Sequence, residues 1–90
     1  MKAVNILEKE VWEALDEVLN HKPGACKCDK CRADIAAYAL NKLQPRYVVS
    51  SKGETLARAE SLTNNFRVTL TIALAEAVEI VSSNPRHDKE

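Results

Sequence analysis

Aromatic residues are scarce in this sequence, with one Trp, two Tyr and one Phe among 90 residues. Packed strands draw on aromatic and β-branched side chains, and the turns of an all-β fold consume Gly and Pro, of which there are only two and three. The shortage argues against a strand sandwich and favours helices. An excess of charge is also missing: 13 Lys and Arg stand against 13 Asp and Glu, so no global field draws the chain to nucleic acid or an anionic membrane. No apolar run approaches the roughly 20 residues a membrane helix needs, and the N-terminus lacks the apolar centre of a signal peptide. A soluble, cytoplasmic protein with no membrane partner is the expectation. There is no Gly-rich phosphate loop, the acids spread over helical faces as solubilising charge does, and neither His21 nor His87 has an acidic partner at a telling spacing. A non-enzymatic protein is expected.

Ninety residues make one domain, 1–90, near the size at which a single core is barely adequate and a metal or a second subunit often supplements it. The zero net charge hides an asymmetry. Residues 1–20 carry a net charge of −3, whereas residues 21–58 set eight bases against Asp29, Asp34 and Glu54, a net of +5.

Val4, Leu7, Val11, Ala14 or Leu15, and Val18 share one helical face, widened by Trp12 and Leu19, which predicts an amphipathic helix over Ala3 to Asn20. Pro23 and Gly24 stop it. Asp29 is placed to cap a second helix from about Lys30 to Lys42, with Ala33, Ala36, Ala37 and Leu40 inward. Pro45 disfavours helical geometry at Gln44, so residues 44–50 read as an extended connector, too short and isolated to claim a sheet. A third helix begins near Ser51, with Glu54 completing a capping box, and persists to about Val81. Leu56, Ala59, Phe66, Leu70, Ala73, Ala77 and Ile80 keep heptad spacing, with Thr63 interrupting the seam. Asn64-Asn65 is the place where this long helix would kink or split. Its second half, Val68 to Val81, is apolar nearly all round and calls for a covering surface, most simply a second copy of the chain.

All three cysteines fall within Cys26-Lys27-Cys28-Asp29-Lys30-Cys31. Thiolates suit zinc, and close spacing on a turn feeding a helix lets several converge on one ion. The helix N-terminus with Lys22, Lys27, Lys30 and Arg32 also favours deprotonated sulfur. Tetrahedral zinc needs a fourth ligand, for which His87 is preferred over His21 because it would close a long loop. Redox-reactive thiols forming a Cys28–Cys31 disulfide, and plain reduced cysteines, are the other readings of the cluster.

A second constellation surrounds the connector: Asn41, Lys42, Arg46, Tyr47, Ser50, Ser51, Lys52, Gly53 and Arg58. Its bases sit beside a helix N-terminus able to receive a phosphate, Arg46 suits two-pronged phosphate contact, and Tyr47 offers a stacking face. The plainer reading is a solvated, charged loop with the Tyr47 ring tucked inward.

The series from Ala25 to Cys31, then Asp34 and Ala37, the run Ala39-Leu-Asn-Lys-Leu-Gln-Pro-Arg-Tyr-Val48, and Ser83-Asn-Pro-Arg86 resembles the late-competence ComFB family of bacteria from about Val11 to Arg86. The resemblance implies a small all-α domain, homodimeric and zinc-binding, which agrees with the one long helix read from the spacing. It also implies links to competence operons, natural transformation and pilus-driven motility, and in some members reception of cyclic dinucleotides. By the same resemblance Cys26, Cys28 and Cys31 hold Zn2+, and the Asn41 to Lys52 segment contacts the nucleotide. Some relatives carry a further cysteine after the Pro-Arg, where this chain has only His87.

The reading that results is a non-catalytic helical homodimer in which zinc is bound by Cys26, Cys28, Cys31 and His87. A cyclic dinucleotide meets Asn41, Lys42, Arg46, Tyr47, Lys52 and Arg58, and the output passes to a regulatory protein partner. A zinc-stabilised adaptor of the DNA-uptake machinery without a nucleotide is the alternative. Direct DNA binding is disfavoured by the zero net charge.

Overall fold

The chain enters its first helix through a short strand. In the computed structural model, which describes residues 2–83, strand β1 (Val4–Asn5) precedes α1 (Ile6–Asn20), followed by α2 (Asp29–Lys42), β2 (Tyr47–Val48), α3 (Ser51–Ser61) and α4 (Asn64–Ser83). The strands pair antiparallel, Val4 opposite Val48 and Asn5 opposite Tyr47. The helix expected from Ala3 therefore starts three residues later. Asn5 is the reason: its Oδ1 caps α1 by accepting from the Leu7 amide at 3.2 Å and also accepts from the Arg46 amide at 2.7 Å. The connector expected to stay isolated is thereby stitched to the chain's beginning.

Leu7, Val11, Leu15 and Leu19 of α1 are at most 1% exposed, as their spacing predicts, whereas Val4 and Trp12, expected on the same face, are 53% and 43% exposed and Ile6 is buried in their stead. Leu7, Val11, Leu15 and Leu19 meet Ile35, Ala36 and Ala39 of α2 and Leu70, Ala73, Leu74, Ala77 and Val78 of α4 in one core. Fully burying a side chain such as Leu15 or Leu74 contributes about 1.5–3 kcal/mol. The inner face of α2 is rotated from the expected one: Cys31, Ile35, Ala36 and Ala39 are buried, while Ala33 and Ala37 face solvent. Alanines discriminate weakly between core and surface, and the bulkier Ile35 together with Cys31 sets the register. α2 packs most extensively on α4.

The single long helix is divided. α3 ends at Ser61 and α4 starts at Asn64, with Thr63 at the break. The Thr63 hydroxyl accepts from the Phe66 amide at 3.4 Å and its carbonyl from the Arg67 amide at 3.1 Å, so the residue that interrupted the heptad seam starts a new helix. Because the seam does not run through, Leu70, Ala73 and Ala77 are buried but Leu56 is 62% and Ile80 48% exposed, with Leu74 and Val78 taking inner places instead. At the head of α3 the cap is Ser50, whose hydroxyl accepts from the Gly53 amide at 3.0 Å, one residue before the expected Ser51. Among the described residues no helix is long and apolar enough to cross a membrane.

Candidate metal centre and the connector node

Asn20 ends α1, and the turn through Pro23 and Gly24 carries the chain back toward α2 with the Ala25 amide donating to the Lys22 carbonyl at 3.0 Å. The loop delivers Cys26 and Cys28 to the head of α2, where Cys31 already sits in the first turn. The N-cap of that helix is Cys28, not Asp29. Its backbone is extended (φ −70°, ψ 162°) and its Sγ accepts from the Cys31 amide at 3.4 Å. A sulfur thus occupies the place where an oxygen usually caps.

The three Sγ atoms lie within 4.8 Å of one another, with Cys26 half-buried, Cys28 exposed and Cys31 buried. Tetrahedral zinc with Zn–S bonds of about 2.3 Å spaces its sulfurs by about 3.8 Å, so small side-chain rotations bring these thiols onto one ion. The donor set suits a soft divalent metal. The cluster could hold a metal ion. The amide of Cys31 first, then the Cys26 side chain, lowers the Cys28 thiol from its ordinary 9.0 to about 7. Burial first, then the neighbouring sulfurs, pushes Cys31 up to about 12. Lys22, Lys30 and Arg32, expected to favour the thiolates, are each paired with a carboxylate: Glu79, Asp34 and Asp16. The electrostatic help at Cys28 comes from helix amides more than from these side chains.

Among the described residues the cluster comprises the three cysteines and no histidine. His21 is turned to its own helix, its Nδ1 donating to the Glu17 carbonyl at 2.9 Å. The preferred fourth ligand, His87, lies outside the described residues.

The connector is organised around Arg46, which leaves only 16% of its side chain exposed. Its guanidinium donates to Ser61 Oγ at 2.5 Å, to the Ala57 carbonyl at 2.8 Å and to Glu60 Oε2 at 2.9 Å, and lies 4.6 Å from the Phe66 ring centroid. Glu10 Oε1 is 3.6 Å away, an ion pair too long for a hydrogen bond, and this buried oxygen accepts none from the described residues. One side chain thereby joins α1, α3 and α4 to the connector. Arg46 was expected to grip a phosphate; its partners hold it in an internal position that ties the connector to three helices.

The remaining nucleotide-contact expectations do not converge on one cleft. Lys42 lies 5.5 Å from the Tyr38 ring centroid and, with Arg46, lines a cavity of ≈ 580 Å³ that also includes Thr63 and Thr69. Arg58 pairs with Glu13 at 3.1 Å and lines a separate cavity of ≈ 930 Å³ between α1 and the α3–α4 bend. Asn41 and Lys52 are exposed, as is Tyr47 at 63%, so its ring is not tucked inward. The partners that fix Arg46, namely Asn5, Glu10 and Ser61, escaped the sequence reading. Glu10 left a trace, since it stands four residues after Ile6 and three after Leu7 and so shares the apolar face of α1.

The model of the family described as late competence development protein ComFB matches residues 4–85. The chain belongs to this family. Competence protein ComFB of Bacillus subtilis (strain 168) is 33% identical over 82 residues, spanning 91% of this chain and 84% of the relative. The solved structure of late competence protein ComFB from Bacillus subtilis superposes with a TM-score of 0.81 at 30% identity, covering 99% of this chain and 100% of that one. Identity at this level over nearly the whole length makes the helical arrangement that of the ComFB family, and the thiol cluster at the head of α2 is built into that shared frame.

Proposed function

We propose that this ComFB-family chain is a non-catalytic regulatory protein of competence whose thiol cluster binds zinc and whose ligand is a cyclic dinucleotide. The single observation that carries the metal part is the convergence of Cys26, Cys28 and Cys31 within 4.8 Å at the head of α2. Zinc held there would staple the loop after α1 to the first turn of α2, and the loop would lose entropy only once, on metal binding. His87 is the proposed fourth ligand.

Val68, Ile72 and Ile80 lie 53%, 60% and 48% exposed on α4, which supports pairing of two copies in a cytoplasmic homodimer. A two-fold ligand suits such a dimer, since each protomer can offer the same residues. The outward side chains of the connector, Tyr47 and Lys52, supply a stacking face and a charge beside the N-terminus of α3, and Lys42 a second charge. Arg46 would act here by holding the connector in shape. Calorimetric titration of the zinc-loaded protein with cyclic di-GMP and cyclic di-AMP tests the proposal, with metal content and oligomeric state measured on the same sample. One ligand bound per dimer, weakened several-fold by Tyr47→Ala or Lys52→Ala, is the expected result. Absence of binding with zinc and dimer intact would remove the nucleotide. The adaptor reading, in which a protein of the uptake machinery is the partner, would then take its place, supported by the further exposed Leu56 and Leu62.

A further inference from the structure

We propose that the thiol cluster is a peroxide-sensitive switch, in which exposed Cys28 is oxidised first, buried Cys31 closes a disulfide onto it, and the bound metal is released. The proposal rests on the zinc reading above and adds to it a chemical fate for the ligands.

Accessibility sets the order of events. Cys28 is the exposed member of the cluster, whereas Cys31 is 1% exposed. A small hydroperoxide therefore meets Cys28 before Cys31. Attack of the Cys28 sulfur on the peroxide forms an S–O bond and breaks the O–O bond. Sulfur gives up two electrons to become a sulfenic acid, and hydroxide leaves. The Cys31 sulfur then attacks the sulfenic sulfur, the S–S bond forms, the S–O bond breaks and a second hydroxide departs. Two thiolates and one hydrogen peroxide have become one disulfide and two hydroxides. Only Cys26 remains of the three sulfur ligands, too few to retain zinc.

Helix geometry selects the partner. Cys28 at the N-cap and Cys31 in the first turn are three residues apart, hence neighbours on one side of the helix, and the Cys31 amide is already 3.4 Å from the Cys28 Sγ. Cys26 stands on the loop, outside that turn. The disulfide takes over the cap, so the head of α2 stays closed while the metal that tied the loop to it is gone. The backbone of that loop is held by local turns, Lys22 to Leu19 and Ala25 to Lys22, and at its surface by the Lys22–Glu79 pair. Loss of the metal removes the bond that ties its far end, through the Cys26 sulfur, to the head of α2. The output of the switch is a loop no longer stapled by metal beside an intact helical core.

The molecule supplies its own optical reporter. Arg32 follows Cys31 directly and its guanidinium lies 5.9 Å from the ring centroid of Trp12, the one tryptophan of the sequence. Rearrangement of the first turn of α2 alters that contact.

The experiment is stepwise addition of hydrogen peroxide to the zinc-loaded full chain, with released zinc read by a chromophoric chelator, Trp12 fluorescence recorded in parallel and thiols mapped by peptide mass spectrometry. The expected result is one zinc released per disulfide, a cross-link joining Cys28 to Cys31, a fluorescence change that tracks release, and reversal by a thiol reductant with added zinc. Cys31→Ser is expected to stop at a sulfenic acid on Cys28 that dimedone traps, and Cys26→Ser still to form the cross-link. Zinc retained and thiols unmodified under a large peroxide excess would overturn the switch, as would a cross-link running to Cys26 or direct conversion of Cys28 to sulfinic acid. A preparation without zinc at the outset would defeat the metal reading and with it metal release; its peptide map would still decide whether Cys28 and Cys31 pair.

Discussion

Two loops of this protein pose the same problem and solve it differently. His21–Cys28 and Leu43–Ser50 each run between consecutive helices, and each ends on the N-cap of the next, Cys28 for α2 and Ser50 for α3. The first carries its anchors within itself, as sulfurs that converge on the helix it introduces. The second is anchored from outside. Asn5 receives the Arg46 amide, the Ile6 amide donates to the Arg46 carbonyl at 3.0 Å, and the Arg46 side chain reaches Ala57, Glu60 and Ser61. A local anchor depends on spacing along the chain. A remote anchor depends on where the rest of the fold has been placed, so it forms only when the tertiary structure does.

Removing each anchor in turn separates the two loops. Chelating zinc from the loaded protein is expected to cost about 4 kcal/mol or more at metal concentrations some thousandfold above its dissociation constant, lowering Tm by roughly 15–30 °C. Differential scanning calorimetry with and without a chelator reads this, and an unchanged Tm would mean that the sulfur anchor is not made by metal.

Arg46→Ala is expected to come next, destabilising by about 3 kcal/mol because it strands Glu10 in a buried site and removes the link among three helices. Replacing both partners, Arg46→Met with Glu10→Leu, is expected to recover most of that loss, since the buried charge disappears with its counter-charge. Urea denaturation of the two variants measures the difference. If the double replacement were no better than the single one, the hydrogen bonds to Ser61 and Ala57 would matter more than the ion pair.

A smaller effect concerns the thiols once the metal is gone. Cys28 titrates at about 7, below its ordinary 9.0, so its thiolate favours the fold above pH 9 and that contribution fades as pH falls through 7. Cys31 is raised to about 12, so its neutral form favours the fold below pH 9 and loses that advantage only as pH rises toward 12. Alkylation of metal-free protein by iodoacetamide is therefore expected at Cys28 with a midpoint near pH 7, Cys31 staying protected. Equal labelling of both would contradict the arrangement at the head of α2.

Least is expected of the surface pair that also touches the first loop. Lys22 holds the Glu79 carboxyl below the usual carboxylate range by a hydrogen bond and by its charge, yet both side chains are open to solvent, where such pairs contribute little. Lys22→Ala should leave Tm unchanged within error, which would leave the fixing of this loop to its sulfurs and its local backbone turns.

The ComFB-family pattern was legible where residues act near one another in sequence. The amphipathic stripe of α1, the stops at Pro23 and Pro45, and the grouping of three cysteines all appear in the structure at or near their expected places. The inner face of α2 was misread because alanine says little about burial. The division of the last helix was foreshadowed by Thr63 and Asn64-Asn65, but the choice between a kink and a break depended on capping contacts made by Thr63. The connector was the least legible part. Its basic residues looked like one patch, while the structure turns Arg46 inward and pairs Arg58 with Glu13 across a different cavity; Tyr47 stays outside, as a stacking face requires.

By itself, then, the sequence determined the helical class, the positions of the turns and the thiol cluster, because helical periodicity, Pro and Gly punctuation, and ligand spacing are properties of short segments. Tertiary structure alone decided that Val4–Asn5 would pair with Tyr47–Val48 and that Arg46 would serve the interior. Each of these depends on groups separated by more than ten residues or on which surface a neighbour covers, and a guanidinium takes its role from the partners that the completed fold sets within reach.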